Sequence, residues 1–441
     1  MAGRRRVSAG VARRNERLTE LRRLVPLDAA IVAVDLASER QAVVITDHDS
    51  RVLERRMVIG SPWKVAAALP WAQQVALEHG FASIVLACEP TGYRWKPLLQ
   101  HARSEGLPLV CVNPMLVSRG REGEDFTKER SDHRDAVIIA RLTSELRCYA
   151  PYQPEGPWAR LRHLGVRRHQ QLVVASAARQ TVRDLLSCVW PSSLAAARKP
   201  LDSLTFRAVM TVSADPDMLA AMTLDEVRVR VKEPLTAWGG SRCNHTILRG
   251  LHDAAREPGG VMVERRASCE RASSAMHDWL RARNELRDVE RRMIETLDEL
   301  GYTPLIDTVP GLSSVGAASI LAETGDPLRF THARAWVKHA GLCPRANESG
   351  AYRGQTRTSG RGRPRLRASA WRAIWGLLPN NTVYAARYAH LTTRARNPLN
   401  DGQARTALAA ALLRQLHTMI TTGEAWNPAI ASGITDVRKA A

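Results

Sequence analysis

Five short apolar runs between residues 30 and 112 limit this chain more than any other feature. They are Ala30-Ile31-Val32-Ala33-Val34, Ala42-Val43-Val44-Ile45, the stretch from Val52-Leu53 to Val58, Ser83-Ile84-Val85-Leu86-Ala87, and Leu107-Pro108-Leu109-Val110-Cys111-Val112. Runs this short and this rich in β-branched residues fit strands better than helices. The first three follow one another too closely for crossover connections, so they predict an antiparallel meander.

Helical periodicity fills the gaps that follow, over Val65 to His79, Tyr93 to Ser104 and Asp132 to Leu146. The resulting order, βββαβαβα, is that of the ribonuclease-H-like fold. Further on, residues 158–190 carry an apolar stripe of Leu161, Leu164, Leu172, Val173, Leu185 and Leu186, and a second long helix is expected from Ala267 to Leu300. Two long amphipathic helices that leave and return predict a coiled-coil arm. Between them, Pro191, Pro200, Pro216 and Gly239-Gly240 break up an insertion near 191–260. The expected class is therefore α/β plus α. It comprises a basic arm over 1–28, an α/β domain over 29–152, a helical region over 153–300 and a mostly helical domain over 301–441. In that last domain, Val309 to Ala318 resembles a helix-hairpin-helix turn, in which Gly311 and Gly316 would let backbone amides approach a phosphate. An ordinary glycine-containing turn is the other reading. The final helices are expected at Ala368–Leu377 and Gly402–Thr422.

Folding does not need the net charge of +20 that this chain carries. Such a charge costs self-repulsion and attracts polyanions, nucleic acid first. The arginines of the N-terminal arm, Arg4, Arg5, Arg6, Arg13, Arg14, Arg22 and Arg23, could serve that attraction or belong to a frayed tail. The seven cysteines include no C-x-x-C pair, which argues against a disulfide scaffold or a zinc site and for a reducing compartment. Nothing resembles a signal peptide, and no apolar stretch approaches the ~20 residues of a membrane span. A soluble, cytoplasmic, nucleoid-associated protein is expected.

Four carboxylates stand where this fold would gather them. Asp35 ends the first strand, Glu89 follows the fourth, and Asp132 and Asp135 share one face at a helix start. Such acids can hold Mg²⁺ (or Mn²⁺), a hard ion suited to phosphoryl transfer. Each also has a plain reading: a turn residue, a loop acid, or for Asp132 and Asp135 a capping box. A second chemical segment runs from Pro344 to Arg372, where eight arginines (345, 353, 357, 361, 363, 365, 367 and 372) face one acid, Glu348. Gly350, Gly354, Gly360 and Gly362 make it read as a phosphate-gripping loop. Ser349 within it is a candidate nucleophile, with Thr358 and Ser359 as competitors; a loop that only grips phosphate is the alternative.

Taken in order, several of these motifs resemble the DEDD insertion-sequence transposases, the bridge-RNA-guided recombinases. They are Ala33-Val34-Asp35, Glu89-Pro90-Thr91-Gly92-Tyr93, Val112-Asn113-Pro114, Ser131-Asp132-His133-Arg134-Asp135-Ala136, Pro310-Gly311, Ala340-Gly341-Leu342-Cys343-Pro344 and Glu348-Ser349-Gly350 with Arg353-Gly354. They cover roughly residues 30–150 and 300–425. The sequence departs from the family at Pro90, at Arg130, in its long N-terminal arm and in the insertion. The resemblance implies a RuvC-like domain whose Asp35, Glu89, Asp132 and Asp135 hold Mg²⁺, and a C-terminal transposase domain whose Ser349 becomes linked to DNA. It also implies a site built between protomers of a dimer or tetramer, and a structured guide RNA that pairs with donor and target DNA. Two rival expectations are a RuvC-type nuclease that uses water as nucleophile and a nucleic-acid binder without catalysis.

Overall fold

The computed structural model describes residues 8–124, 131–345, 348–349, 352–354 and 356–432. The chain forms two compact units, residues 1–153 and 154–441.

The first unit is built on a six-stranded sheet ordered β3-β2-β1-β4-β5-β6. Its strands are β1 (Ala29–Leu36), β2 (Arg40–Thr46), β3 (Val52–Ile59), β4 (Ser83–Cys88), β5 (Leu109–Val112) and β6 (Cys148–Tyr149). β1, β2 and β3 are the expected antiparallel meander. β4 pairs parallel with β1, and β5 parallel with β4. This mixed sheet is consistent with a ribonuclease-H-like domain.

Central strands bury both faces, which is why β1 and β4 read as unbroken apolar runs. On β1, Ala30, Val32 and Val34 pack with Leu69, Val75, Leu98 and Leu99. These come from α2 (Leu69–Glu78) and α3 (Trp95–Ser104). Ile31 and Ala33 face the other way, onto Val117, Ile138, Ile139 and Leu142. The helices there are α4 (Pro114–Glu124) and α5 (Asp132–Ser144). Side chains alternate along a strand, so Asp35 continues the series of Ile31 and Ala33. Glu89 likewise continues the series of Val85 and Ala87, which belong to the same core.

Residues 9–24 of the basic N-terminal segment form a helix, α1, capped by Ser8. Leu21 and the following Val25 sit in the core beside Ile31. Arg4, Arg5 and Arg6 lie outside the described residues.

The second unit is helical. Two long helices, Gly156–Val189 and Arg265–Glu299, run antiparallel. Ion pairs across them reflect that direction: Arg160 with Glu299 at 3.3 Å and Arg168 with Glu290 at 2.8 Å. At one end, the insertion folds into short helices around Trp190, Phe206, Trp238, Leu251 and Met276. At the other, Leu161, Leu164, Met293 and Leu297 share a core with Trp336, Ile374 and Leu413. Among the described residues, no helix is long and apolar enough to cross a membrane.

Candidate active site

The four acids arrive from three places in the first unit. Asp35 lies on β1, one register step beyond the Val34–Cys88 pairing, and Glu89 directly follows Cys88 on the neighbouring strand. Both therefore sit at the carboxyl ends of adjacent parallel strands, on the face that α4 and α5 cover. Asp132 and Asp135 occupy the first turn of α5, where the helix dipole favours negative charge. Ser131, not Asp132, is the N-cap, and it makes no side-chain cap bond. The capping-box reading of the two aspartates therefore does not hold. Small residues let α5 lie close to the sheet: Ala136 packs against Ala42 and Val44 of β2.

These carboxylates feel one another. Burial pushes the Asp35 carboxyl up from 3.8 to about 6, and the negative charges of Asp135, Asp132 and Glu89 add to the rise. Glu89 is half-buried, and the Thr91 hydroxyl donates to its Oε1 at 2.7 Å. Asp132 is exposed. Among the described residues, however, no three acid, histidine or cysteine side chains stand close enough to hold an ion as they are. One reason is a residue absent from the sequence reading. Arg121 on α4 grips Asp135 with both arms of its fork, Nε to Oδ1 at 2.5 Å and Nη2 to Oδ2 at 2.6 Å. Its charge also acts on Asp35, whose carboxyl it pulls down, while Glu89 and Asp35 raise the pKa of Arg121 itself.

In the second unit, the segment read as one basic loop divides into two structures. The described residues between 344 and 358 form two short ladders. Pro344–Arg345 pairs with Arg357–Thr358, and Glu348–Ser349 pairs with Tyr352–Arg353. Ser349 thus pairs with Tyr352. The side chains of Glu348, Ser349 and Arg353, together with Asn347 and Gly350, lie outside the described residues. From Pro364 the chain is helical to Asn380, so the helix expected at Ala368–Leu377 starts earlier, and Arg365 and Arg367 sit on it with Arg372 rather than in a loop. Of the competing hydroxyls, Ser359 donates to the Gly341 carbonyl at 3.3 Å and accepts from the Cys343 thiol at 3.4 Å. Thr358 is exposed.

The arginines have different duties. Arg345, Arg357 and Arg361 are exposed. Arg363 lies 3.5 Å from Glu323, a buried carboxylate that Arg162 also binds at 2.8 Å. Arg367 donates to the carbonyls of Ala340 and Gly360 at 3.1 and 3.2 Å. Arg365 is half-buried, and with Arg372 it helps hold His169 below its usual pKa, after the larger effect of burial. Arg361→Ala is therefore expected to weaken DNA binding and to reduce the slope of log affinity against log salt by about 1. Arg367→Ala should instead cost stability, on the order of 1 kcal/mol, because the part-buried Ala340 carbonyl and the exposed Gly360 carbonyl lose their guanidinium donor. Salt-titrated binding and urea unfolding of both variants separate the two roles.

Gly311 and Gly316 also have structural work. Gly311 has φ 84°, and a Cβ there would meet the Gly376 carbonyl oxygen at 2.5 Å, so its backbone is pressed against the arginine-bearing helix. The Gly316 amide donates to Ser313 Oγ at 3.1 Å, and Ser313 thereby caps helix Ser314–Thr324.

Comparison with known proteins places both units. Residues 32–191 match a transposase family described as DEDD transposases of the IS110 type, and residues 303–389 match the IS116/IS110/IS902 transposase family. The first match contains all four acids; the second contains Ser349 and the eight arginines between Pro344 and Arg372. The chain is 24% identical over 333 residues to a Streptomyces coelicolor protein named as the transposase for the IS117 mini-circle, which covers 72% of this chain and 77% of that one. It is 25% identical over 346 residues to a 44.8 kDa protein of insertion element IS116 from Streptomyces clavuligerus, covering 77% and 82% respectively. With two matched regions in family order and an acidic quartet on the expected elements, the chain belongs to the DEDD transposases of IS110-type insertion elements.

Proposed function

We propose that this transposase cuts and rejoins insertion-element DNA through a serine–DNA intermediate, guided by a structured RNA, with its four acids serving a divalent-metal site. The observation that carries this reading is the convergence of Asp35, Glu89, Asp132 and Asp135 on one side of one sheet. Burial, with the repulsion of the other three acids added to it, raises Asp35 to about 6. A cluster of this kind calls for a cation, and its donors are all hard carboxylate oxygens, which suit Mg²⁺ or Mn²⁺. Asp35, Glu89 and Asp135 would hold it, with Asp132 at the exposed rim. When bound, the metal neutralises charge that builds on the phosphate oxygens.

Ser349 supplies the attacking oxygen. Its Oγ forms a bond to phosphorus while one P–O ester bond of the DNA backbone breaks and the departing oxygen takes up a proton. One ester replaces another, so the bond energy is kept and the reverse attack can rejoin strands without ATP. Exposed arginines at 345, 357 and 361 grip neighbouring phosphates. The excess of 64 Lys and Arg over 44 Asp and Glu supports binding of both DNA and RNA. A homo-oligomer, dimer or tetramer, handles the several strands involved.

The test is strand exchange in solution. Purified protein, Mg²⁺, element-end DNA, target DNA and RNA transcribed from the element's non-coding end are expected to yield joined products. Leaving out the RNA should abolish them. Equal product without RNA contradicts the guidance, and product in excess EDTA contradicts the metal site.

A further inference from the structure

Arg121 has a duty that neither motif of the family points to. In the first unit it is the cation that the acidic cluster already contains. It makes a two-pronged bond to Asp135, and its charge reaches Glu89 and Asp35. The pair is largely shielded from water, with side-chain exposures of 29% for Arg121 and 14% for Asp135. Forked contacts of this kind are stronger and more directional than a single ammonium contact.

The fold builds this contact deliberately. Arg121 follows Gly120, and a Cβ at Gly120 would meet Ile138 Cγ2 at 2.6 Å. Ile138 belongs to α5, one turn beyond Asp135. Glycine at 120 therefore lets α4 lie against α5 closely enough for its next residue to reach the aspartate.

We infer that Arg121 is the resident counter-ion of the acidic site and competes with the divalent metal for Asp135. This rests on the metal-site reading above. A guanidinium on both oxygens takes about two of the carboxylate's four lone-pair sites and sets a positive charge where the ion would sit. Metal loading therefore requires Arg121 to let go, which lowers the affinity of the site for metal. It also explains why the cluster holds together without a metal although no three of its acids are positioned to share one. In exchange, the metal-free protein avoids a set of unbalanced, half-buried negative charges.

The experiment measures Mn²⁺ binding to the full chain, by the loss of the free-ion resonance signal in titrations without DNA. Arg121→Gln is expected to tighten Mn²⁺ binding about tenfold, since charges in one network couple at this level. Arg121→Lys keeps the charge but loses the fork, and should fall between the two. Without metal, Arg121→Gln should melt at a lower temperature than the parent, and Mn²⁺ should raise that temperature more than it does for the parent. Affinity that is unchanged or weaker in both variants overturns the inference while leaving the metal site intact. Should Arg121→Gln not fold, Arg121→Lys decides: tighter binding supports the competition, and unchanged binding refutes it. Two controls test the underlying reading separately. If Asp35→Asn and Asp135→Asn bind Mn²⁺ as the parent does, the acids are not the ligands, and both the site and the inference fall.

Discussion

Ser349→Ala is expected to bind element-end DNA within about twofold of the parent yet to transfer strands at least ~10³-fold more slowly, the scale seen when a nucleophile is removed. The reason is chemical. The Oγ is the atom that becomes bonded to phosphorus, and alanine offers nothing in its place. The fold tolerates the change, because Ser349 sits in a two-residue strand whose ladder with Tyr352 is made by the backbone. Alanine's weaker strand preference costs at most ~1 kcal/mol. The competitors cannot easily stand in. Ser359 is held between Gly341 and Cys343, and Thr358 lies on the partner strand of the outer ladder. The check is a time course of joined product beside a binding curve. If Ser349→Ala keeps more than a tenth of the parent's joining rate, Ser349 is not the nucleophile.

Asp35→Asn is expected to have two effects of opposite sign. Strand transfer should fall by about 10³-fold or more, because removing one donor group from a site that works as a unit disables most of it. The metal-free protein should become more stable at neutral pH. Folding raises Asp35 from 3.8 to about 6. The folded state therefore holds the proton more tightly than the unfolded state, and stability falls as pH rises from about 4 to 6. Above that window the penalty is constant. Partial exposure of the carboxyl and solvent screening reduce it to about 1–2 kcal/mol. Asparagine removes the penalty, so in EDTA Asp35→Asn should unfold at higher urea than the parent at pH 7.5. The two should coincide near pH 3.5. A variant less stable than the parent at pH 7.5 would show that burial and its neighbours' charge do not penalise the ionised Asp35.

Much of the first unit was legible in the sequence, because a sheet buried on both faces writes itself as β-branched runs. The acids were legible for the same reason: each marks the end of an element that the periodicity already defined. Arg121 was not. Its helix, α4, contains Gly120 and Gly123, which depress helix propensity and masked the element. Its partner lies 14 residues away, so no local pattern links them. The arginine-rich stretch was read as a single loop because its glycines and arginines suggested one. Pro364 at the first helical position was the missed start signal. The glycines of the Pro310-Gly311 turn looked phosphate-facing, since sequence shows that a close approach is needed but not what approaches. At Gly311 it is the protein's own helix.

What stands or falls with this account is that one hydroxyl carries the cut DNA while the acidic cluster enables the cut. Peptide mapping of the protein trapped on radiolabelled element-end DNA, with Mn²⁺ present, addresses it most directly. The expected result is a single labelled peptide containing Ser349, absent in EDTA and absent from Asp35→Asn. Cleaved DNA that carries no peptide, or a label on any other residue, would contradict it.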